Sequence, residues 1–178
     1  MNDDHNTGSR PSRRSLLSVA ALALAAGAGW NWWRHQSQAP SPGAFQALWD
    51  ASFEQPDGRL LKMADYQGQP LVVNFWATWC TPCVEEMPLL NAFYQQNKAK
   101  NWQMIGLAID QPSAVKRFLG QHPVEYPIGM AGLVGTDLMK TLGNEAGGLP
   151  FTLVLDAQSI VLMRKLGKLT EQDIQSWI

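Results

Sequence analysis

The sequence predicts an α/β fold with a central mixed β-sheet and helices on both faces, and three observations support this prediction. Two runs, 71–76 and 102–109, are short and largely apolar, as expected for strands that are covered on both faces. A segment with helical spacing follows each run, which indicates parallel strands joined by crossover helices. Near the end of the chain, two further β-type runs flank a tight turn and add an antiparallel pair.

An extra N-terminal β-hairpin is predicted ahead of the first buried strand. The segments 44–53 and 59–63 lie on either side of the sequence QPDG at 55–58, which is a strong turn signal. Residues 65–70 are mostly polar, with one glycine and one proline, and are expected to form a loop that leads into the strand 71–76.

Three helices are predicted in the middle of the chain. The first covers 81–97, where apolar residues recur at helical spacing and Pro88 is expected to bend the axis. The second covers 113–121 with Ser113 as its N-cap, and a weaker helix covers 135–142.

The C-terminal part is predicted to contain a second hairpin and a last helix. Residues 151–155 and 160–165 have the pattern of strands around a turn at 156–159. Thr170 and Asp173 are spaced as a capping pair, which predicts that a helix begins after Thr170. The predicted order of elements is therefore β-β-β-α-β-α-α-β-β-α.

Composition and charge suit one globular domain. The chain has 178 residues, of which 46% are hydrophobic and 16% are charged, and its net charge is −1. A nearly neutral chain gives no support to nucleic-acid binding, so no nucleic-acid partner is expected. We place the folded domain at 44–178, a length typical of a single domain.

The N-terminal region has the pattern of an export or anchoring segment. Residues 15–33 carry no charge and span roughly 28 Å as a helix at about 1.5 Å per residue, near the lower limit for crossing a bilayer. Three tryptophans cluster at the far end of this segment, as in an interfacial aromatic belt. Arginines in residues 1–14 predict a cytoplasmic n-region, and residues 34–43 are expected to form a polar linker.

Three export interpretations of residues 15–33 remain open, beside that of a buried core helix. The segment has features of an uncleaved transmembrane anchor, of a signal peptide cleaved at the sequence AGA at 26–28, and of a twin-arginine signal built on Arg13 and Arg14. All three export interpretations place the domain outside the cytoplasm. We therefore expect a periplasmic domain, attached to the bacterial inner membrane through residues 15–33.

The only two cysteines of the chain, Cys80 and Cys83, lie between the predicted strand 71–76 and the predicted helix 81–97. At such a junction, the unpaired N–H groups and the dipole of the helix N-terminus favour a thiolate. A Cys-x-x-Cys pair in this setting predicts a thioredoxin-like fold and thiol–disulfide exchange.

Other uses of this dithiol make different demands on the sequence. A static disulfide across two residues closes too small a loop to add much stability. A zinc site needs about four ligands, and the chain adds only three histidines to the two cysteines, so no metal site of this kind is expected. A peroxidase-type redoxin needs a Pro-x-x-x-Thr-x-x-Cys context, which Cys80 lacks. A Cu(I)-binding or delivery module that uses both thiols stays open as an alternative.

Three sequence patterns carry a resemblance to a known family: NFWATWCTPC at 74–83, Glu86 with Pro88 shortly after it, and GLP at 148–150. Together they resemble the TlpA/ResA-like membrane-anchored thioredoxins of bacteria over about residues 50–167. The resemblance implies a thioredoxin fold and the reduction of disulfides in exported proteins, in cytochrome c maturation or metal-site assembly. We expect no dissociable cofactor, and we expect electrons from an upstream dithiol carrier in the membrane.

The resemblance places the attacking thiol at Cys80 and the resolving thiol at Cys83, and the open helix end at Cys80 agrees with this assignment. Glu86 lies one helical turn beyond Cys83 and is expected to be a partly buried acid that moves protons during exchange. Neighbouring Glu85 is interpreted as a solvated surface group. Asn74 stands where ordinary thioredoxins usually carry a buried aspartate, which leaves proton transfer to Glu86.

Substrate contacts are expected from Trp79, Leu149 and Pro150. In thioredoxin-like folds this proline is cis and faces the cysteines, so that the backbone of the preceding residue is free to bind substrate. The alternative is an ordinary trans proline at the start of an edge strand. Trp79 is expected to be a partly exposed lid beside Cys80, whereas Trp76 is expected to lie in the core.

Overall fold

The computed structural model describes residues 42–178. Two short 3-10 helices, Met63–Tyr66 and Lys98–Lys100, supplement the regular elements of this range. In chain order these regular elements are α1 (Pro42–Asp50), β1 (Ser52–Glu54), β2 (Leu60–Lys62), β3 (Leu71–Trp76), α2 (Thr81–Asn97), β4 (Gln103–Ala108), α3 (Pro112–Gln121), β5 (Ile128–Met130), α4 (Gly132–Thr141), β6 (Phe151–Leu155), β7 (Val161–Leu166) and α5 (Glu171–Gln175).

All seven strands of the described residues belong to one mixed sheet with the order β2-β1-β5-β4-β3-β6-β7. Strand β3 pairs parallel with β4, and β4 pairs parallel with β5. Strands β6 and β7 add an antiparallel pair beside β3, and the β1–β2 hairpin adds another beside β5. This arrangement confirms the predicted mixed sheet and its extra N-terminal hairpin.

The side chains of β3 alternate between the two faces of the sheet, and both faces are covered by helices. On one face, Val72 and Trp76 belong to a buried cluster with residues of α2, α3 and α5 that also contains both cysteines. On the other face, Val73 and Phe75 belong to a cluster with residues of α1 and α4. Strand β3 is therefore buried along its whole length, as predicted for a central strand.

The first segment of the predicted N-terminal hairpin is mostly helical. Residues 44–50 were expected to be part of a strand, but they belong to α1, and only β1 and β2 form the hairpin. In α1, Phe45, Leu48 and Trp49 recur at helical spacing, and Leu48 and Trp49 are buried against the sheet. The strand prediction over 44–50 is wrong because this one apolar face is buried by a helix.

Strand β5 is missing from the predicted order of elements. It has three residues and follows Pro127, so its apolar run is too short to be distinguished from a loop. Its pairing with β4 on one side and β1 on the other connects the N-terminal hairpin to the central sheet.

Two of the predicted helix starts are confirmed and two are wrong. Helix α2 covers the predicted 81–97, whereas α4 begins at Gly132 and not at the predicted 135. Helix α3 begins at Pro112, with Gln111 as an N-cap that makes no side-chain capping bond, so the predicted cap at Ser113 is wrong. Proline at the first helical position has no N–H to leave unpaired, which explains this start. Thr170 and Asp173 form the predicted capping box at the start of α5.

The predicted n-region 1–14 and the predicted anchor or signal segment 15–33 lie outside the described residues, as does most of the predicted linker 34–43. Helix α1 begins at Pro42, slightly before the predicted domain start at 44. Among the helices of residues 42–178, none is long and apolar enough to cross a membrane.

Two helical glycines are expected to respond to alanine in opposite directions. A Cβ atom at Gly135 in α4 would lie 2.5 Å from both Ala131 Cβ and Ile109 Cδ1, whereas nothing lies within 4 Å of one at Gly120 in α3. We expect Gly135→Ala to lower the free energy of unfolding by about 1–3 kcal/mol through overpacking. The matched control Gly120→Ala is expected to raise it by about 0.5 kcal/mol through helix propensity.

Urea unfolding of the two variants and the wild type measures both changes. If Gly135→Ala were as stable as Gly120→Ala, the close packing of α4 onto the end of β4 would be contradicted.

Candidate active site

The two cysteines form a disulfide at the N-terminus of α2, directly after the turn that follows β3. Their Cα atoms are 5.3 Å apart. Cys80 is the N-cap residue of α2, and its carbonyl accepts the first helical hydrogen bond from Val84 N, at 3.1 Å. Pro82 lies in the first turn of the helix. Cys80 is 6% exposed and Cys83 is fully buried, so Cys80 is the more accessible sulfur, although it is less open than expected.

A carboxylate from the neighbouring strand holds the turn that leads into the dithiol. Asp110 follows the end of β4, and its Oδ2 accepts hydrogen bonds from Thr78 N at 2.9 Å and from Thr78 Oγ1 at 2.5 Å. Cys80 N then donates to Ala77 O at 3.2 Å. Asp110 is absent from the sequence predictions. Its position directly after a buried strand parallel to β3 is the signal that could have indicated it, because the carboxyl ends of parallel strands share one edge.

Glu86 lies inside the protein, where its carboxylate has two hydrogen-bond donors. It is 1% exposed. Its Oε1 accepts from Asn74 Nδ2 at 2.8 Å, and its Oε2 accepts from Leu169 N at 2.7 Å. Asn74 Nδ2 also donates to Thr152 Oγ1 at 3.0 Å. The carboxylate therefore connects α2 to the middle of β3 and to the segment after β7.

Burial raises the pKa of Glu86 above its ordinary value, and the hydrogen bonds from Leu169 and Asn74 oppose this shift only in part. The positive charges of Lys168 and Lys165 also lower the pKa, to a smaller extent. Glu86 therefore keeps its proton at a higher pH than an exposed glutamate does. Glu85, in contrast, is an exposed side chain that pairs with Lys168 at 2.6 Å, consistent with a surface group.

The loop before β6 lies at the same edge of the sheet as the dithiol. The peptide bond between Leu149 and Pro150 is cis, as the family resemblance implies. Phe151 is paired with Phe75 of β3, so this loop lies beside the end of β3. Leu149 packs against the buried cluster that contains both cysteines.

Two hydrogen bonds to backbone carbonyl groups of this loop hold it in place. Asn144, a buried residue that the sequence analysis did not single out, donates from Nδ2 to Gly148 O at 2.7 Å. On the other side, Gly167 N donates to Pro150 O at 2.8 Å. Asparagine before a glycine-rich loop is a common turn signal, but the partner of its side chain is not visible in the sequence.

The two tryptophans near the dithiol are placed as predicted. Trp76 is fully buried in the core, where its ring lies 5.5 Å from that of Phe118. Trp79 is 67% exposed directly beside Cys80. The loop that holds Leu149 and buried Pro150 therefore lies at the same edge of the sheet as Trp79 and the dithiol, and Glu86 lies in the interior.

This geometry can be compared with known proteins. The family described as Redoxin matches residues 43–176, which is most of the chain. The chain belongs to the redoxin family. Its fold is similar to that of a solved thiol:disulfide interchange protein of the thioredoxin family from Chlorobium tepidum TLS. That comparison has a TM-score of 0.63 and 26% identity, and it covers 79% of this chain and 93% of the other.

Relatives of known activity agree with this assignment. The chain is 30% identical to the thiol-disulfide oxidoreductase ResA of Bacillus thuringiensis (strain Al Hakam) over 123 residues, which cover 68% of this chain and 69% of the relative. It is 25% identical over 167 residues to ResA of Halalkalibacterium halodurans, with coverage of 93% and 91%. These matches confirm the resemblance to ResA-like proteins, and the chain is a thiol-disulfide oxidoreductase with a thioredoxin-like fold.

The raised pKa of Glu86 predicts a pH dependence of stability. Because this pKa lies above the ordinary value of 4.5, the folded chain binds the proton more tightly than the unfolded chain does. The free energy of unfolding therefore falls as pH rises from about 4.5 through the raised pKa. We expect Glu86→Gln to remove this fall, so the stability of the variant relative to the wild type increases with pH across that interval.

Urea unfolding across this pH range measures the difference, and Glu85→Gln is the matched control on the exposed side of α2. The control is expected to follow the wild-type curve, because an exposed ion pair contributes little. Parallel curves for the Glu86 variant and the wild type would contradict the raised pKa. In buffer without urea, where the protein is folded, Glu86→Gln is expected to slow disulfide exchange by about 10²-fold near neutral pH, because the variant has no carboxylate to accept a proton.

Proposed function

We propose that this protein reduces disulfide bonds of exported proteins, with Cys80 as the attacking thiol and Cys83 as the resolving thiol. The main support for the order of the two thiols is that the two cysteines differ in burial and in position on helix α2. Cys80 occupies the N-cap of α2, where unpaired N–H groups and the helix dipole favour its thiolate. Cys83 lies in the first turn of the same helix and is fully buried, so a substrate disulfide cannot reach it first.

The reaction has two exchange steps that balance in electrons and protons. The Cys80 thiolate attacks one sulfur of the substrate disulfide, which forms a mixed disulfide and releases the other substrate sulfur as a thiolate that takes up a proton. Cys83 then loses its proton and attacks the Cys80 sulfur, which releases the second substrate thiol. The substrate gains two electrons and two protons, and the protein is left with the Cys80–Cys83 disulfide.

Glu86 is proposed to accept the proton that Cys83 loses in the second step. It lies one helical turn after Cys83, on the same face of α2. Its raised pKa brings it closer to the working pH, where a general base is most effective. Asn74 cannot titrate, and it is proposed to hold the carboxylate through its 2.8 Å hydrogen bond.

Trp79, Leu149 and Pro150 are proposed to hold the substrate chain next to Cys80. The exposed ring of Trp79 offers an apolar contact on one side of the sulfur. Leu149 is half-buried, and its backbone is proposed to bind the polypeptide on the other side. These contacts would orient the substrate disulfide for the attack by Cys80.

The place of the reaction is proposed to be the periplasm. The uncharged residues 15–33, with arginines before them and tryptophans at their end, support attachment to the inner membrane with the domain on the outer side. Each cycle leaves the protein oxidised, so the proposal requires a membrane dithiol carrier that returns two electrons and needs no dissociable cofactor. Cytochrome c maturation and metal-site assembly are the two settings that the family resemblance implies.

Single-cysteine variants test the order of the two thiols. Cys83→Ser is expected to accumulate about one equivalent of mixed disulfide with a disulfide-bearing protein, because the second step is blocked. Cys80→Ser is expected to lose turnover and to trap less than about a tenth as much, because the remaining thiol is buried. Mass spectrometry after acid quenching measures the adduct. Equal trapping by the two variants would contradict the assignment.

A further inference from the structure

We propose that Thr152 is a positioning residue for the proton transfer assigned to Glu86. Its hydroxyl group holds the side-chain amide of Asn74 with an N–H group directed at the Glu86 carboxylate, which favours the ionised form of that carboxylate. The inference rests on the proposed role of Glu86 in disulfide exchange and adds a residue that regulates its charge. No sequence pattern discussed above includes Thr152, which lies in strand β6.

Thr152, Asn74 and Glu86 form a continuous chain of buried hydrogen bonds. Asn74 and Thr152 lie opposite each other in the antiparallel pair of β3 and β6. The Nδ2 atom of Asn74 carries two hydrogens, and it donates to Glu86 Oε1 at 2.8 Å and to Thr152 Oγ1 at 3.0 Å. All three residues are at most 1% exposed, so both contacts lie away from solvent.

The two acceptors of Asn74 Nδ2 determine the direction of the amide. Among residues 42–178, the buried Oδ1 atom of Asn74 has no hydrogen-bond partner, so no hydrogen bond on that side holds the amide. An asparagine amide rotates in a broad energy well, and a single acceptor would leave the direction of its N–H groups loosely defined. The second acceptor, Thr152, is fixed on the neighbouring strand and defines this direction.

The hydrogen bond from Asn74 matters because the nearby charges have a smaller effect on Glu86. Burial is the largest influence on the pKa of Glu86 and raises it. The hydrogen bonds from Leu169 and Asn74 lower this pKa more than the charges of Lys168 and Lys165 do. The Leu169 donor is a backbone N–H, whereas the Asn74 donor depends on the direction of a side chain.

The other ionisable groups around Glu86 do not replace this control. Each of the two lysines is paired with an acidic side chain, Lys165 with Asp173 and Lys168 with Glu85. Burial, and to a smaller extent the charge of Glu86, raises the pKa of Tyr126, so this phenol keeps its proton and adds no charge. The ionisation of Glu86 therefore responds to the hydrogen bond that Thr152 orients.

The test measures the pKa of Glu86 directly, by ¹³C NMR of its carboxyl group in the oxidised full-length protein. The signal is assigned by its loss in Glu86→Gln, and the two cysteines form a disulfide and do not titrate. Thr152→Val and Thr152→Ala remove the acceptor, with and without a replacing methyl group, whereas Thr152→Ser keeps it. The matched control is Thr141→Val, at an exposed threonine whose hydroxyl donates to Asp137 O in α4.

We expect Thr152→Val and Thr152→Ala to raise the measured pKa of Glu86 by about 0.5 or more, because the carboxylate keeps a less well-directed donor. Thr152→Ser is expected to restore the wild-type pKa, and Thr141→Val is expected to leave it unchanged. In the reduced protein, the rate of disulfide exchange rises with pH as Glu86 ionises. The midpoint of that rise is expected to move to higher pH by the same amount in the variants that lack the acceptor.

Two results would overturn the positioning role of Thr152. The first is an unchanged pKa of Glu86 in Thr152→Val and Thr152→Ala. The second is an equal rise in Thr152→Ser, which would make side-chain packing, and not the acceptor, responsible for the change. A raised pKa with an unchanged pH profile of exchange would instead overturn the proposed proton transfer by Glu86, and with it the part of Thr152 in the reaction.

Discussion

The burial of the Glu86 carboxylate is the constraint on which the rest of the site depends. A buried charge without hydrogen bonds costs several kcal/mol, so a carboxylate that is 1% exposed requires its donors to be in place. Those donors are the side chain of Asn74 in the central strand and the backbone N–H of Leu169. The Glu86 carboxylate belongs to α2 and accepts hydrogen bonds from β3 and from the segment after β7. Helix α2 therefore has little freedom to slide along the sheet.

Fixing α2 in this way positions the reactive sulfur. The helix begins where β3 ends, so Cys80 lies at the open helix N-terminus and at the sheet edge where several chain segments meet. Asp110 holds the intervening turn through Thr78, and Asn144 holds the loop that presents Leu149. The same interaction that orders the interior therefore determines which surface surrounds the dithiol.

Local signals made much of this arrangement predictable. The apolar run of β3, the helical spacing of α2, the Thr170–Asp173 capping box and the position of Cys80 before a helix can each be recognised within a few neighbouring residues. Where local signals compete, the prediction is wrong: α1 has apolar residues at helical spacing but is predicted as part of a strand, and β5 has only three residues.

Long-range partners are missed for another reason. Leu169 binds a side chain 83 positions away, and no local pattern encodes that contact.

The reduction potential of the Cys80–Cys83 pair tests the central claim most directly. The full-length protein is equilibrated with thiol buffers of defined potential, and the fraction of reduced protein is measured by thiol trapping and mass shift. A value near or below about −250 mV, close to the roughly −270 mV of thioredoxin, is the result expected of a reductase that receives electrons from a donor. A value near about −120 mV would contradict this account, because such a dithiol oxidises its substrates and installs disulfides.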